Sequence, residues 1–395
     1  MLCVAPNVCY NRPMRLTQLS LFNFRNYVRL VLDLPAGVTV LLGDNAQGKT
    51  NLLEAVYYLA TSRSPHAGTD REVVNWLTPE SEPLPFTRLV GKVSRAGGDL
   101  TIEITLTQQG EAEGRYRKQI RLNGVPHRAM DLLGHLNVVL FLPEDIALVS
   151  GPPGGRRHYL DATLCQIDPG YCRALSRYNQ ILTQRNALLR DLRERGGEVG
   201  QLAFWDEQLV EHGALLVARR RECLGDLDEL VREVHAELTD GAERLRLDYL
   251  PSLDLENGET VAQAFVAQLR SLRTREIAAG VTLVGPHRDD MAFLIDGVNA
   301  GTYASRGQQR TTALALKLAE VALMSRATGE RPVLLLDDVL SELDAHRRSF
   351  LLRVLDDGPQ QSIITTTDLH VLPDAFVERC NVWRVSGGRL SALEG

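Results

Sequence analysis

The sequence is poor in lysine. Of its 44 basic side chains only Lys49, Lys92, Lys118 and Lys317 are lysines, so 40 are arginines. A genome-wide preference for arginine codons accounts for such a bias, and against it each remaining lysine carries more information. Paired cysteines are missing too. Cys3, Cys9, Cys165, Cys172, Cys223 and Cys380 are scattered, with no C-x-x-C spacing, which excludes a zinc ribbon or disulfide framework and reads as reduced thiols of a cytoplasmic protein. No apolar run approaches membrane-spanning length, so no membrane partner is expected. Met1–Pro13 lacks a basic start followed by an apolar stretch, and is expected to be a disordered extension before the first patterned strand rather than a signal peptide. A large excess of positive charge is also absent. The formal net charge is −6, so contact with nucleic acid requires a local basic patch.

What is present is a soluble composition, 44% hydrophobic and 24% charged over 395 residues, long enough for two domains. Its centre is Gly43-Asp44-Asn45-Ala46-Gln47-Gly48-Lys49-Thr50, a G-x-x-x-x-G-K-T phosphate loop. The β-branched run Val38–Leu42 before it reads as a buried strand. Leu52, Leu53, Val56 and Leu59 after it share one helical face. Strand, glycine loop and helix is the setting this motif needs. The glycines turn backbone N–H groups toward phosphates, Lys49 reaches the β- and γ-phosphates, and Thr50 ligates Mg²⁺.

Around the loop, Met14–Leu42 alternates as a hairpin or meander, with Phe22-Asn-Phe-Arg-Asn-Tyr27 inside it. Phe22, Phe24 and Arg25 serve either a nucleotide or the core, and Arg63 in the loop Thr61–Gly68 is a phosphate candidate or a solvated arginine. Residues 86–123 read as antiparallel strands, the last carrying Arg115, Arg117, Lys118 and Arg121, either a track for a nucleic-acid backbone or a solvated face. Residues 171–240 have helical periodicity broken near Gly196-Gly197, as two antiparallel helices. A helix around Val261–Arg270 leads to an expected strand at Val281–Val284.

Three dense stretches close the chain. Ser305-Arg-Gly-Gln-Gln309 opens a helix running through Arg310–Met324 and offers a second anion-binding geometry. Pro332–Asp338 is a buried strand ending in two carboxylates, where idle charge is costly. Asp337 suits Mg²⁺, and Asp338 suits orienting or deprotonating the attacking water. Ser341-Glu-Leu-Asp344 follows, and a final strand, Ser362–Thr366, precedes Asp368.

Phosphate loop, Ser305–Gln309 helix start, Leu-Leu-Leu-Asp-Asp strand and Ser341–Asp344 loop resemble the ABC-type ATPase head of SMC-like proteins. Phe24–Tyr27, Pro143–Asp145 through Arg156-Arg-His-Tyr-Leu-Asp161, and Gly285-Pro-His-Arg-Asp-Asp290 resemble the RecF recombination-mediator family in particular. The resemblance spans Met14 to the C-terminus with its motifs in order. It implies an α/β fold, an ABC-type ATPase head with a mixed sheet and an antiparallel β subdomain, formed by 14–165 and 275–395. A helical arm or lobe is then inserted at 166–274. It implies a DNA-dependent ATPase of recombinational repair, binding ATP and Mg²⁺, dimerising on DNA, hydrolysing slowly and helping to load recombinase at gaps with RecR and RecO. By the family pattern Gly43–Thr50 hold ATP, Thr50 and Asp337 hold the metal, and Asp338 serves hydrolysis. Ser305, Gly307 and Gln308 contact the γ-phosphate of the partner's ATP, and Asp344 lies at the dimer seam. Two departures stand out: transporter-type heads have Glu where Asp338 stands, and they place a His directly after the last core strand, where this chain reads Thr365-Thr-Thr-Asp368.

Overall fold

Apolar runs that stay apolar on both faces demand cover on both faces, and this chain has several. In the computed structural model, Val138–Phe141, Val333–Asp337, Ser362–Thr366, Val38–Leu42 and Asn381–Ser386 lie side by side and parallel, with Arg389–Ala392 antiparallel at the far edge. Every residue of Val333–Asp337 and Ser362–Thr366 is buried, as expected of central parallel strands. Their register pairs Asp337 with Thr365, and Thr366 with Leu42. The last acid of one strand, the hydroxyls of the next and the start of the phosphate loop therefore emerge together at the carboxyl edge of the sheet, where ligands of open α/β sheets bind.

The structure describes residues 13–75, 86–109, 116–255, 259–356, 358 and 360–393. The expected extension at residues 1–13 falls outside them except for Pro13. The chain divides into two units, Met1–Asp145 with Leu314–Gly395, and Ile146–Ala313.

The first unit holds that mixed sheet and a second, antiparallel sheet in the order Tyr27–Asp33, Arg15–Phe24, Phe86–Ser94, Leu100–Gln108, Tyr116–Leu122, Val125–His127. Strict alternation builds it: Leu100, Ile102, Ile104 and Leu106 face inward, and Thr101, Glu103, Thr105 and Thr107 outward. Helix Lys49–Thr61 joins the two sheets. Its Leu52, Leu53, Val56 and Leu59 share one core with Leu19, Leu89 and Ile104 of the antiparallel sheet and Val138, Leu335 and Ile363 of the mixed one. The expected meander through Met14–Leu42 is corrected in one respect: Val38–Leu42 leaves the hairpin for the parallel sheet.

The second unit contains helices Pro153–Ile167, Pro169–Arg195, Leu202–Leu238 and Val261–Ala279 and a three-stranded antiparallel sheet of Leu245–Leu250, Asp290–Ile295 and Val298–Asn299. Asp168 caps the second helix by accepting from the N–H groups of Gly170 and Tyr171, and Gly196 ends it at φ 70°. The expected strand at Val281–Val284 does not form. Asn186 Oδ1 takes the N–H of Thr282 at 2.8 Å and Glu276 Oε1 takes that of Leu283 at 2.8 Å, removing the donors a ladder needs. The strand comes later, at Asp290–Ile295, pairing with Leu245–Leu250. The unit, Ile146–Ala313, takes in both Arg156–Asp161 and Gly285–Asp290. Those stretches clamp each other: Arg156 donates twice to Asp290, at 2.7 and 2.8 Å, and Arg157 donates to the carbonyl of Asp289 at 2.8 Å. Arg220 bridges Asp161, at 2.7 Å, to the carbonyl of Pro286, at 2.6 Å. No helix among the described residues is long and apolar enough to cross a membrane.

Candidate nucleotide site

The loop keeps its shape because neighbours hold its carbonyls. Tyr27 Oη donates to the carbonyl of Gly48 at 2.8 Å, and Asn26 Nδ2 to that of Gln47 at 2.9 Å. Asn51 in turn donates to Asn26 Oδ1 at 2.8 Å. From the other side the N–H of Gly388 reaches the carbonyl of Gln47 at 3.1 Å. The two glycines are needed for space and conformation. A Cβ on Gly43 would stand 2.3 Å from the carbonyl oxygen of Val385, and Gly48 has φ +111° with Asn26 2.5 Å from where its Cβ would be. With these carbonyls engaged, the loop lines the recess at the start of helix Lys49–Thr61.

Lys49 is buried, and its Nζ donates to the carbonyls of Gly43 at 2.5 Å and Asp44 at 2.9 Å. Burial lowers its pKa from the ordinary lysine range, while Asp338, Asp337 and Asp44 pull the other way. Thr50 Oγ1 lies 2.8 and 3.0 Å from the two oxygens of Asp337. Thr365 Oγ1 donates to Asp337 Oδ1 at 2.7 Å and accepts the N–H of Asp338 at 2.9 Å. That hydroxyl fixes both acids at once. Asp338 adopts the left-handed region at φ 49°, and its Oδ1 has no hydrogen-bond partner among the described residues. Asn45–Asn51, Asp337, Asp338 and Thr365 line one recess of about 200 Å³.

These residues fit a magnesium nucleotide. Turned N–H groups and one ammonium suit a polyphosphate. A hydroxyl beside a carboxylate suits Mg²⁺, which keeps few protein ligands and takes the rest from phosphate and water. The described residues contain no cluster of three His, Cys, Asp or Glu side chains able to hold a metal; the residues that would hold one here are Thr50 and Asp337, together with the nucleotide. Asp338 lines the same recess, next to Asp337 and Thr365.

Thr365, Asn26, Tyr27 and Gly388 escaped the sequence reading as site residues. Asn26 and Tyr27 lay in the family-like stretch Phe24–Tyr27, whose chemistry is now explicit: Phe24 is core, and Asn26 and Tyr27 brace the loop. Arg25 is turned to partners within the fold. It forms a two-pronged ion pair with buried Glu54, at 2.7 and 2.8 Å, and donates to the carbonyl of Glu72. Phe22 stacks on Phe86 with centroids 4.8 Å apart, and Arg63 is exposed.

Ser305, Gly307 and Gln308 belong to the second unit. Ser305 and Gln308 form a reciprocal cap at the start of helix Arg306–Thr328: the N–H of Ser305 donates to Gln308 Oε1 at 2.8 Å, and the N–H of Gln308 to Ser305 Oγ at 3.3 Å. Ser305, Arg306 and Gly307 are exposed, whereas buried Gln309 turns inward to the carbonyls of Ala300 and Ala304. Asp344 caps helix Ala345–Asp356, and the N–H and guanidinium of Arg347 hold its carboxyl below the usual range.

The basic cluster splits. Arg115 lies outside the described residues. Arg117 and Arg121 are exposed on the outer face of Tyr116–Leu122, but Lys118 points the other way. Its Nζ pairs with Asp70 at 2.8 Å, donates to the carbonyl of Ser62 at 2.7 Å and sits over the ring of Tyr58. Strand alternation forces the split, and Lys118 leaves the candidate DNA face.

Comparison with known proteins agrees with this geometry. Residues 15–388 match the model described as the RecF/RecN/SMC N terminal domain. The chain is 44% identical over 390 residues to a DNA replication and repair protein RecF of Chloroflexus aurantiacus, covering 95% of this chain and 98% of that one. The RecF protein of Roseiflexus castenholzii is 45% identical, with 95% and 99% covered. Among solved structures, a recombination mediator protein RecF–ATP of the RecFOR pathway superposes with TM-score 0.86 at 33% identity, covering 97% and 98%. An Smc head domain from Pyrococcus furiosus has TM-score 0.53 at 16% identity, covering 96% of each chain, a likeness of fold.

Proposed function

Because the chain belongs to the RecF family of DNA replication and repair proteins, we propose that it is an ATP-dependent DNA-binding protein of recombinational repair and replication-gap processing. ATP binds in the loop Gly43–Thr50, with Lys49 at the β- and γ-phosphates. Mg²⁺, held by Thr50 and Asp337, neutralises phosphate charge. Asp338 orients and deprotonates the attacking water. Its arm is one methylene shorter than glutamate's, so turnover is slow and the ATP-bound state long-lived. Two chains then pair and sandwich two nucleotides, each chain giving its loop to one site and Ser305, Gly307 and Gln308 to the other. Asp344 lies at the seam. The dimer holds DNA and, with RecR and RecO, helps load recombinase at gaps in the cytoplasm.

The observation that carries this reading is the gathering of Lys49, Thr50, Asp337 and Asp338 around one recess, with the Thr365 hydroxyl holding both acids.

The shared site has a direct test. A Lys49→Ala homodimer has both sites broken, and so does a Ser305→Arg homodimer. Mixing the two puts both lesions of a heterodimer into one site and leaves the other whole. Random pairing makes half the dimers mixed, so hydrolysis recovers to about a quarter of wild type if sites act independently. A mixture as inactive as its parents, with heterodimers shown to form, leaves either obligate coupling or a within-chain role for Ser305. Mixing wild type with the double variant separates those two outcomes, because only within-chain sites leave one whole in that heterodimer.

A further inference from the structure

A serine–glutamine cap on an exposed helix start is an adjustable device. The Gln308 amide is a carbonyl acceptor on one side and an NH₂ donor on the other. Only one orientation lets its oxygen take the N–H of Ser305. Rotated by half a turn, it would set donor against donor and loosen the turn that carries Ser305. Something must choose the orientation, and in the second unit it is Glu243. Gln308 Nε2 donates to Glu243 Oε1 at 2.9 Å while its own oxygen accepts from Ser305 at 2.8 Å. The other carboxylate oxygen of Glu243 lies 3.1 Å from Nε2 of His235, whose side chain is fully buried in helix Leu202–Leu238.

The turn carrying Glu243 is itself fixed. The N–H of Gly241 closes onto the carbonyl of Ala236 at 2.8 Å, with Asp240 and Gly241 both left-handed, at φ 50° and 74°. The N–H of Arg244 is held by Asp296 Oδ1 at 3.2 Å. A continuous chain of hydrogen bonds therefore runs from the buried end of the long helix, through Glu243 and Gln308, to an exposed serine.

We infer that Glu243 is a positioning residue for the nucleotide contact made by the Ser305 helix start. It locks the Gln308 amide so that the turn presents Ser305 Oγ and the following N–H groups to the γ-phosphate of ATP held by a second copy of the chain. The inference rests on the shared-site reading proposed above. Glu243 touches no nucleotide and acts through Gln308.

The test compares Glu243→Ala with Glu243→Gln in the full-length chain. Glutamine keeps an oxygen for Gln308 and an opposite end that His235 can bond by switching tautomer. Alanine keeps neither. Binding of a fluorescent ATP analogue to the monomer, at protein concentrations too low to pair, should be unchanged in both variants, because the phosphate loop lies in the other unit. ATP-dependent dimerisation, followed by sedimentation, should weaken by about tenfold in Glu243→Ala, the ratio expected for one hydrogen bond to a charged group. In Glu243→Gln it should stay near wild type. Wild-type dimerisation by Glu243→Ala while Ser305→Arg fails to pair would overturn this inference alone. So would a Glu243→Gln loss as large as that of alanine, or a Glu243→Ala loss that lowers monomer ATP binding and melting temperature together. Wild-type pairing by Ser305→Arg would remove the shared-site reading, and this inference with it.

Discussion

The loop Gly43–Thr50 and the turn Ser305–Gln309 both bring glycine to a helix N-terminus, but their surroundings differ. Around the loop stand an ammonium, two carboxylates and two hydroxyls, most of them buried and all within one unit. Around the Ser305 turn the side chains satisfy one another, and the serine, the arginine and the glycine are left in solvent. One is a site with its chemistry gathered around a recess. The other is a set of donors on a surface, held in shape from behind. The difference teaches where each draws its energy: the loop from preorganised charge in a low-dielectric recess, the Ser305 turn from geometry alone.

The strongest way to break this contrast is Lys49→Ala. It removes the ammonium that offsets Asp337 and Asp338 and leaves two loop carbonyls without their donor. ATP affinity, read by equilibrium binding, should fall at least about a hundredfold, the effect of losing charge-assisted bonds worth ~3 kcal/mol. Affinity within a few-fold of wild type would mean that backbone N–H groups alone hold the phosphates.

Asp338→Asn comes next in size. The amide keeps the shape of the side chain and loses the base, so ATP binding should persist while single-turnover hydrolysis drops by about 10² or more. Near-wild-type hydrolysis would place water activation elsewhere and erase the chemical distinction drawn here.

That distinction was partly legible in the sequence. The loop announced itself because its geometry is local: glycine spacing, a preceding apolar strand and a following amphipathic helix are all contiguous. Asp337 was legible because a charge ending an apolar strand needs a reason. Thr365 was not, since a threonine in Ser-Ile-Ile-Thr-Thr is an ordinary strand residue until the register with Asp337 is known. Asn26 and Gly388 were hidden likewise, as they reach the loop from turns far away in sequence. Scarce lysine was a better guide than expected. Three of the four lysines are committed: Lys49 in the loop, Lys118 to Asp70, and buried Lys317 to Glu320 at 2.7 Å. The strand expected at Val281–Val284 failed because side chains from other helices took its N–H groups, a competition invisible to periodicity.

Thr365→Val sharpens the comparison at the loop. The methyl replaces the hydroxyl with little change of shape, leaving the Asp338 N–H without an acceptor and Asp337 with one anchor fewer. Hydrolysis should fall about tenfold, and stability by roughly 1–3 kcal/mol in denaturant melts, as for a buried donor left unsatisfied. ATP affinity should change little, because Thr50 still anchors Asp337. Equal losses of affinity and rate would show that Thr365 shapes the whole recess rather than the acid pair.

The smallest effect is expected away from both elements, on the strand Tyr116–Leu122. Arg117 and Arg121 face solvent, while Lys118 faces the helix Lys49–Thr61 and pairs with Asp70. If the outer face tracks a DNA backbone, each arginine that meets a phosphate releases counterions, and the slope of log affinity against log salt loses about 0.9 per contact on duplex DNA. Arg117→Gln with Arg121→Gln should therefore flatten the slope by nearly two, weaken DNA binding at low salt and leave ATP binding untouched. Lys118→Gln should do the reverse, keeping the salt slope and lowering thermal stability, since its charge is satisfied within the fold. Because the two faces belong to one strand, the pair of variants separates a surface role from damage to the sheet. An unchanged slope in the double arginine variant would return that face to solvent and send the search for the DNA contact to other arginines.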